Sequence, residues 1–130
     1  MRIRDWPWRL SMGIRNVRRF WRPVWYFHAC DYSGMLKLME VAAREMRDLH
    51  RDHGVTSYRE RTARQLTVVA ELCRRLHEDN YFENAGYDPK TWGRHSDHKR
   101  SRIAKHSSEM AKWDAIYLGR MFRLVQHWWD

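Results

Sequence analysis

Residues 32–53 read YSGMLKLMEVAAREMRDLHRDH. Tyr32, Met35, Leu36, Met39, Ala42, Ala43, Met46, Leu49 and His53 recur at steps of three and four. That spacing lines one face of a helix, because a helix turns once every 3.6 residues. Asp31 stands where a cap is wanted, and Gly54 where the chain leaves through a left-handed residue. Nowhere does the chain alternate apolar and polar residues as a half-buried strand would. This stretch therefore sets the class: helices that bury one stripe each.

Reading outward, residues 58–79 predict another helix. Ser57 and Glu60 make a capping box, and Asn80 suits the far end. Its stripe is Ala63, Leu66, Val69, Ala70, Cys73 and Leu76. Residues 97–128 predict a long last helix with Ser96 or Asp97 as cap. Ile103, His106, Met110, Trp113, Tyr117, Leu124 and Trp128 form its apolar face, widened by Ala111, Ile116 and Met121. Between these helices, residues 81–96 carry Asn84, Gly86, Asp88-Pro89 and Gly93, all turn formers. Tyr81, Phe82, Tyr87 and Trp92 are scattered among them. A loop this long in a compact domain is either functional or ordered by its own side chains.

The N-terminal stretch 2–27 differs in composition. It holds seven arginines and four tryptophans against one acid, Asp5. Of the net charge of +9, these residues contribute +6. Residues 8–22 predict a short helix, with Leu10, Ile14, Val17 and Trp21 on one face and arginines on the others. Arg22-Pro23 is expected to end it, since proline disfavours helix in the residue before it. The following segment, 23–31, carries Val24, Trp25, Tyr26 and Phe27, which are expected to pack on the core. The whole predicts one all-α domain over 1–130, a four-helix bundle-like fold. Its first helix is short and basic, and the other three are longer.

Several classes are excluded. With 43% hydrophobic and 14% aromatic residues the chain is not a solvated coil. No apolar run approaches the roughly 18 residues that a membrane span needs. Arg9, Arg15, Arg18, Arg19 and Arg22 interrupt every candidate for a secretory signal core. Cys30 and Cys73 read as reduced, buried thiols rather than a disulfide framework. No glycine-rich phosphate loop, nucleophile elbow or metalloprotease helix motif occurs, so the chain reads as not an enzyme. His50 with His53, and His95 with His98, are three apart. Neither pair brings the three or four ligands that zinc wants, so no metal and no cofactor is expected.

Five short segments carry a resemblance. They are Gly13-Ile14-Arg15-Asn16-Val17, Pro23-Val24-Trp25, Asp31-Tyr32 leading into Met35-Leu36-Lys37-Leu38-Met39, Leu76-His77-Glu78-Asp79-Asn80-Tyr81, and the terminal His127-Trp128-Trp129-Asp130. In these the chain resembles a family of small proteins of unassigned function from tailed bacteriophages. The resemblance implies a phage protein acting in the cytoplasm of the infected bacterium. It implies no reaction.

Basic residues interleaved with rings are the remaining signal. Arg44, Arg47 and Arg51 flank the second stripe, and Arg61, Arg64 and Arg75 flank the third. Tyr81, Trp92 and His95 come from the long loop. Guanidinium forks match phosphate oxygens, and flat rings stack on bases. These nine residues are the candidate ligand site. The expected function is non-catalytic binding and sequestration of a nucleotide-type ligand, such as a host defence signal. The alternatives are nucleic-acid binding and inhibition of a host protein by direct contact. A membrane is not an expected partner, and self-association is a further alternative. The arginine-rich first helix reads as a packed helix with a solvated basic face, against a phosphate-facing or interfacial one. Of the terminal tryptophans, Trp128 reads as a staple on the bundle, with Trp129 open to a partner.

Overall fold

The computed structural model describes residues 6–27, 32–53 and 59–125. All of its regular structure is helical. Helix α1 spans Trp6–Trp25, α2 Tyr32–His53, α3 Arg59–Glu78, the short α4 Tyr81–Asn84, and α5 Asp97–Phe122. A single 3-10 turn at Trp92–Arg94 precedes α5. The expected caps Asp5, Asp31, Gly54 and Ser57, the thiol of Cys30 and the terminal Trp128-Trp129 lie outside the described residues.

The core is built by α2, α3 and α5. Leu36 and Ala43 from α2 meet Leu66, Val69, Ala70, Leu72 and Cys73 from α3 and Leu118 from α5. Met39, Met46, Leu76 and Met121 pack around them. Leu66 and Cys73 have no exposed surface at all. Helices α2 and α3 are antiparallel: Glu40, early in α2, meets His77 at the end of α3, and Arg51 lies beside Arg59 at the other end. Helix α3 is the central element. Its stripe is the predicted one, and Thr62 and Leu72 extend it so that a second side also packs.

The segment expected to be a loop, 81–96, holds α4. Helix α3 stops at Glu78 because Asp79 adopts φ +50, the left-handed conformation that ends helices. Tyr81 then turns inward and is buried. Gly86 follows α4 with φ +108. A Cβ there would find room, with Ile103 no nearer than 3.9 Å, so backbone conformation alone favours glycine. Helix α5 starts as predicted, with the Ser96 hydroxyl accepting from the Lys99 amide at 3.3 Å.

Three expectations are corrected. First, α1 does not stop at Arg22. It passes through Pro23 to Trp25, and the Tyr26 amide still donates to the Arg22 carbonyl at 3.1 Å. Proline in the last turn forfeits one backbone bond, and Trp21 and Trp25 stack across it with ring centroids 4.8 Å apart. Second, α1 and the residues after it do not pack into the core. No residue of α1 is buried, and Val24, Trp25, Tyr26 and Phe27 are exposed. The helix leans on α2 through partly buried Met12, Phe20 and Pro23, with an Arg19–Glu45 ion pair at 2.6 Å. The middle of the α2 stripe, from Leu36 to Met46, is already covered by α3, which leaves α1 no interior to enter there. Third, the buried face of α5 is rotated from the predicted one. Ile103, Asp114 and Leu118 point inward, while Trp113 and Tyr117 are exposed. The ends of the α2 stripe, Tyr32, Met35 and Leu49, are exposed as well.

Candidate ligand-binding groove

The nine predicted site residues do not meet in one place. Arg44 is held by Glu40 at 2.8 Å, and Arg47 by Asp48 at 2.8 Å. Arg51 and Arg64 do come together, beside Arg59, Glu60 and Ala63, on a shallow concavity of about 370 Å³ where α2 ends and α3 begins. Arg61 is exposed on α3. Trp92 and His95 belong to a ring cluster that orders the long loop. Trp92 meets Phe82 and Tyr87 edge-on at 5.2 and 5.1 Å between centroids, and His95 at 6.2 Å.

Arg75 and Tyr81 serve the interior. The buried Asp114 carboxylate accepts from the Tyr81 hydroxyl at 2.7 Å and pairs with Arg75 at 2.9 Å. Burial and the neighbouring carboxylate push the Tyr81 phenol well above its ordinary range. It stays protonated and donates. One carboxylate on α5 thus joins the end of α3 to α4.

A second interior carboxylate is Glu40. Lys37 at 2.9 Å, Arg44 at 2.8 Å and His77 at 2.9 Å converge on it. Burial works against its charge, but hydrogen bonds from Lys37 and His77 and the nearby cations outweigh burial. The carboxyl is held below its ordinary value. On the outer side of α3, Arg74 bridges Glu71 and Glu78, so its charge too is consumed within the helix.

A further concave surface with unpaired positive charge lies on α5, which carries none of the nine predicted residues. A concavity of about 670 Å³ is lined by Lys99, Arg102, Lys105, His106 and Glu109, with Ala85, Gly86 and Ile103 at its wall. It adjoins a second of about 330 Å³, lined by Arg75, Met110, Trp113 and Asp114. The two share His106 and Glu109. Together they form a groove along α5. At a rise of 1.5 Å per residue, Lys99 to Trp113 spans about 20 Å. Lys99, Arg102 and Lys105 form no ion pair among the described residues. Glu109 divides the groove into a basic end and an end walled by the Trp113 ring.

The sequence signal for this face was present but absorbed into another pattern. Lys99, Arg102, His106, Trp113, Tyr117 and Arg120 fall within about 60° of the helix circumference. Spacing alone cannot separate such a face from the buried one beside it. Trp113 and Tyr117 are 6.4 Å apart between centroids, and the Arg120 guanidinium lies 5.4 Å over the Tyr117 ring. These contacts give the two rings partners on the outside of the helix.

Cys73, the described thiol, is sealed in the core, and burial raises its pKa to about 11. It offers no thiolate at neutral pH. Among the described residues no group of three or more His, Cys, Asp or Glu side chains is placed to hold a metal ion. No helix of the described residues is long and apolar enough to cross a membrane. Compared with known proteins, the chain matches no family model, no curated protein and no solved structure.

Proposed function

We propose that the protein binds a phosphate-bearing, nucleotide-type ligand in the α5 groove and holds it without turnover. The observation that carries this reading is the polarity of the groove. Lys99, Arg102 and Lys105 gather at one end, and an exposed indole, Trp113, stands at the other. Phosphate oxygens would sit at the lysines and arginine, where charge-assisted hydrogen bonds are strongest. A base would lie against Trp113, since stacking needs only a free ring face. Glu109 repels phosphate, which fixes the direction of the ligand, and its oxygens can accept from sugar hydroxyls. A span of about 20 Å suits two linked nucleotides better than one. Held without chemical change, such a ligand is withdrawn from the host process that uses it. Such withdrawal would suit a phage protein acting in the infected cytoplasm, the setting that the resemblance implies.

Calorimetry with a cyclic dinucleotide and with ADP-ribose tests the reading. Wild-type protein is expected to give saturable heat, and the Lys99→Ala, Arg102→Ala double variant to bind at least about a hundredfold more weakly, each charged contact contributing on the order of 1.5–3 kcal/mol. Absence of heat from both compounds at millimolar concentration would sink it. A second reading, single-stranded nucleic acid, has its own observation: the basic-aromatic face runs past the groove to Tyr117 and Arg120. It is favoured if a short RNA or DNA strand binds with a steep salt dependence and the dinucleotide does not.

A further inference from the structure

Helix α1 has two sharply separated faces, and the apolar one is uncovered. At 100° per residue, Phe20, Val24, Val17, Leu10, Trp21, Ile14 and Trp25 occupy one arc of about 140° with no polar residue inside it. All five arginines of the helix, Arg9, Arg15, Arg18, Arg19 and Arg22, fall on the opposite arc, and the helix contains no acid. The helix leans on α2 by the edge that holds Met12, Arg19 and Pro23, next to Phe20. The rest of the apolar arc points away from the body. Leu10, Ile14, Val17, Trp21, Val24 and Trp25 each keep more than half of their surface exposed.

We infer that α1 is an interfacial helix that docks the protein on an anionic phospholipid surface, lying in its plane with the apolar arc sunk among the upper acyl chains. Charge complementarity selects this occupant. Arg9, Arg15, Arg18 and Arg22 form no ion pair among the described residues. Lipid phosphates would neutralise those that flank the arc, while the arc gains burial. A second copy of α1 could cover the same arc, but it would bring a second set of arginines to within about a Debye length, with no acid on the helix to offset them. A nucleic acid would satisfy the arginines and leave Leu10, Ile14 and Val17 in water. Trp6 near one end of the arc, with Trp21 and Trp25 near the other, are residues that settle at the headgroup level. Docking of this kind needs no spanning segment, and it is independent of the α5 groove.

The test is flotation of the full chain with vesicles of phosphatidylglycerol and phosphatidylcholine, compared with phosphatidylcholine alone. Wild-type protein is expected to float with the anionic vesicles only. Ile14→Asp with Val17→Asp should abolish flotation. Arg15→Gln with Arg18→Gln should weaken it about tenfold or more. Both pairs are exposed, so circular dichroism should report an unchanged fold. Failure of the wild type to float at low ionic strength overturns the inference. So does flotation that survives Ile14→Asp with Val17→Asp. Sedimentation as a dimer that the same pair converts to a monomer also overturns it, because a second copy then occupies the arc.

Discussion

Helices α1 and α3 make an instructive pair. Each is twenty residues long, and each separates apolar from charged positions. Helix α3 buries seven residues, and α1 buries none. The difference is not in amphipathicity. It is in what surrounds each helix. Helix α3 has a helix on two sides, and Leu72 and Thr62 widen its buried surface beyond the predicted stripe. Helix α1 reaches a body whose stripes are already matched. Its arginines, with one exception at Glu45, form no ion pair among the described residues. An apolar stripe therefore says that a face needs covering, and says nothing of whether the chain itself supplies the cover.

The largest expected effect is at the centre of α3. Leu66→Ala should cost about 2–5 kcal/mol, because a fully buried leucine loses both its transfer energy and its packing neighbours. Urea denaturation measures it directly. A loss under about 1 kcal/mol would mean that the core is loose at Leu66 and that α3 is not the central element.

How far the sequence carried the fold follows from the same contrast. The antiparallel α2–α3 pair was readable because Leu36, Met39, Ala43 and Met46 face Leu66, Val69, Ala70 and Cys73, and both stripes are long and regular. Helix α5 was readable as a helix but not in its orientation. Its inward face carries Asp114, a charged residue that no hydrophobic pattern would select. It is buried because Tyr81 and Arg75 satisfy it across more than thirty residues of sequence. That long-range match also took Tyr81 out of the candidate site, while Arg75, paired with Asp114, still lines the Trp113 end of the groove. Likewise Arg44 and Arg47 were spent on near neighbours, Glu40 and Asp48. The groove residues Lys99, Arg102 and Trp113 could not be recognised until the face beside them was known to be the buried one.

A smaller effect should show where α2 meets α3, at Glu40. Its carboxyl is held below the ordinary value in the folded protein, so the unfolded chain binds a proton more readily. The stability this confers is complete above the unfolded value and is lost as pH falls through the folded one. Urea midpoints followed downward from neutral pH should therefore decline through the carboxylate range. Glu40→Gln, which leaves nothing there to titrate, should decline less steeply over the same interval. Parallel curves for the two proteins would show that the Lys37, Arg44 and His77 contacts do not favour the charged form.

The smallest effect belongs to α1, and its smallness is the point. Ile14 and Val17 would be core residues by sequence pattern, equivalent to Leu66 and Val69. In the structure they are exposed, so truncating them creates no cavity and releases no packed neighbour. Ile14→Ala with Val17→Ala should change stability by no more than about 0.5 kcal/mol, the range for surface substitutions. A small gain is expected if alanine's higher helix propensity shows. Urea denaturation of the full chain without lipid is the measurement. A loss near that of Leu66→Ala would place the α1 stripe against the body in solution, and the two helices would then differ in exposure no longer. A negligible loss, set beside the cost at Leu66, would show that equally amphipathic helices in one chain serve different masters: α3 holds the fold, and α1 keeps its apolar face for something outside it.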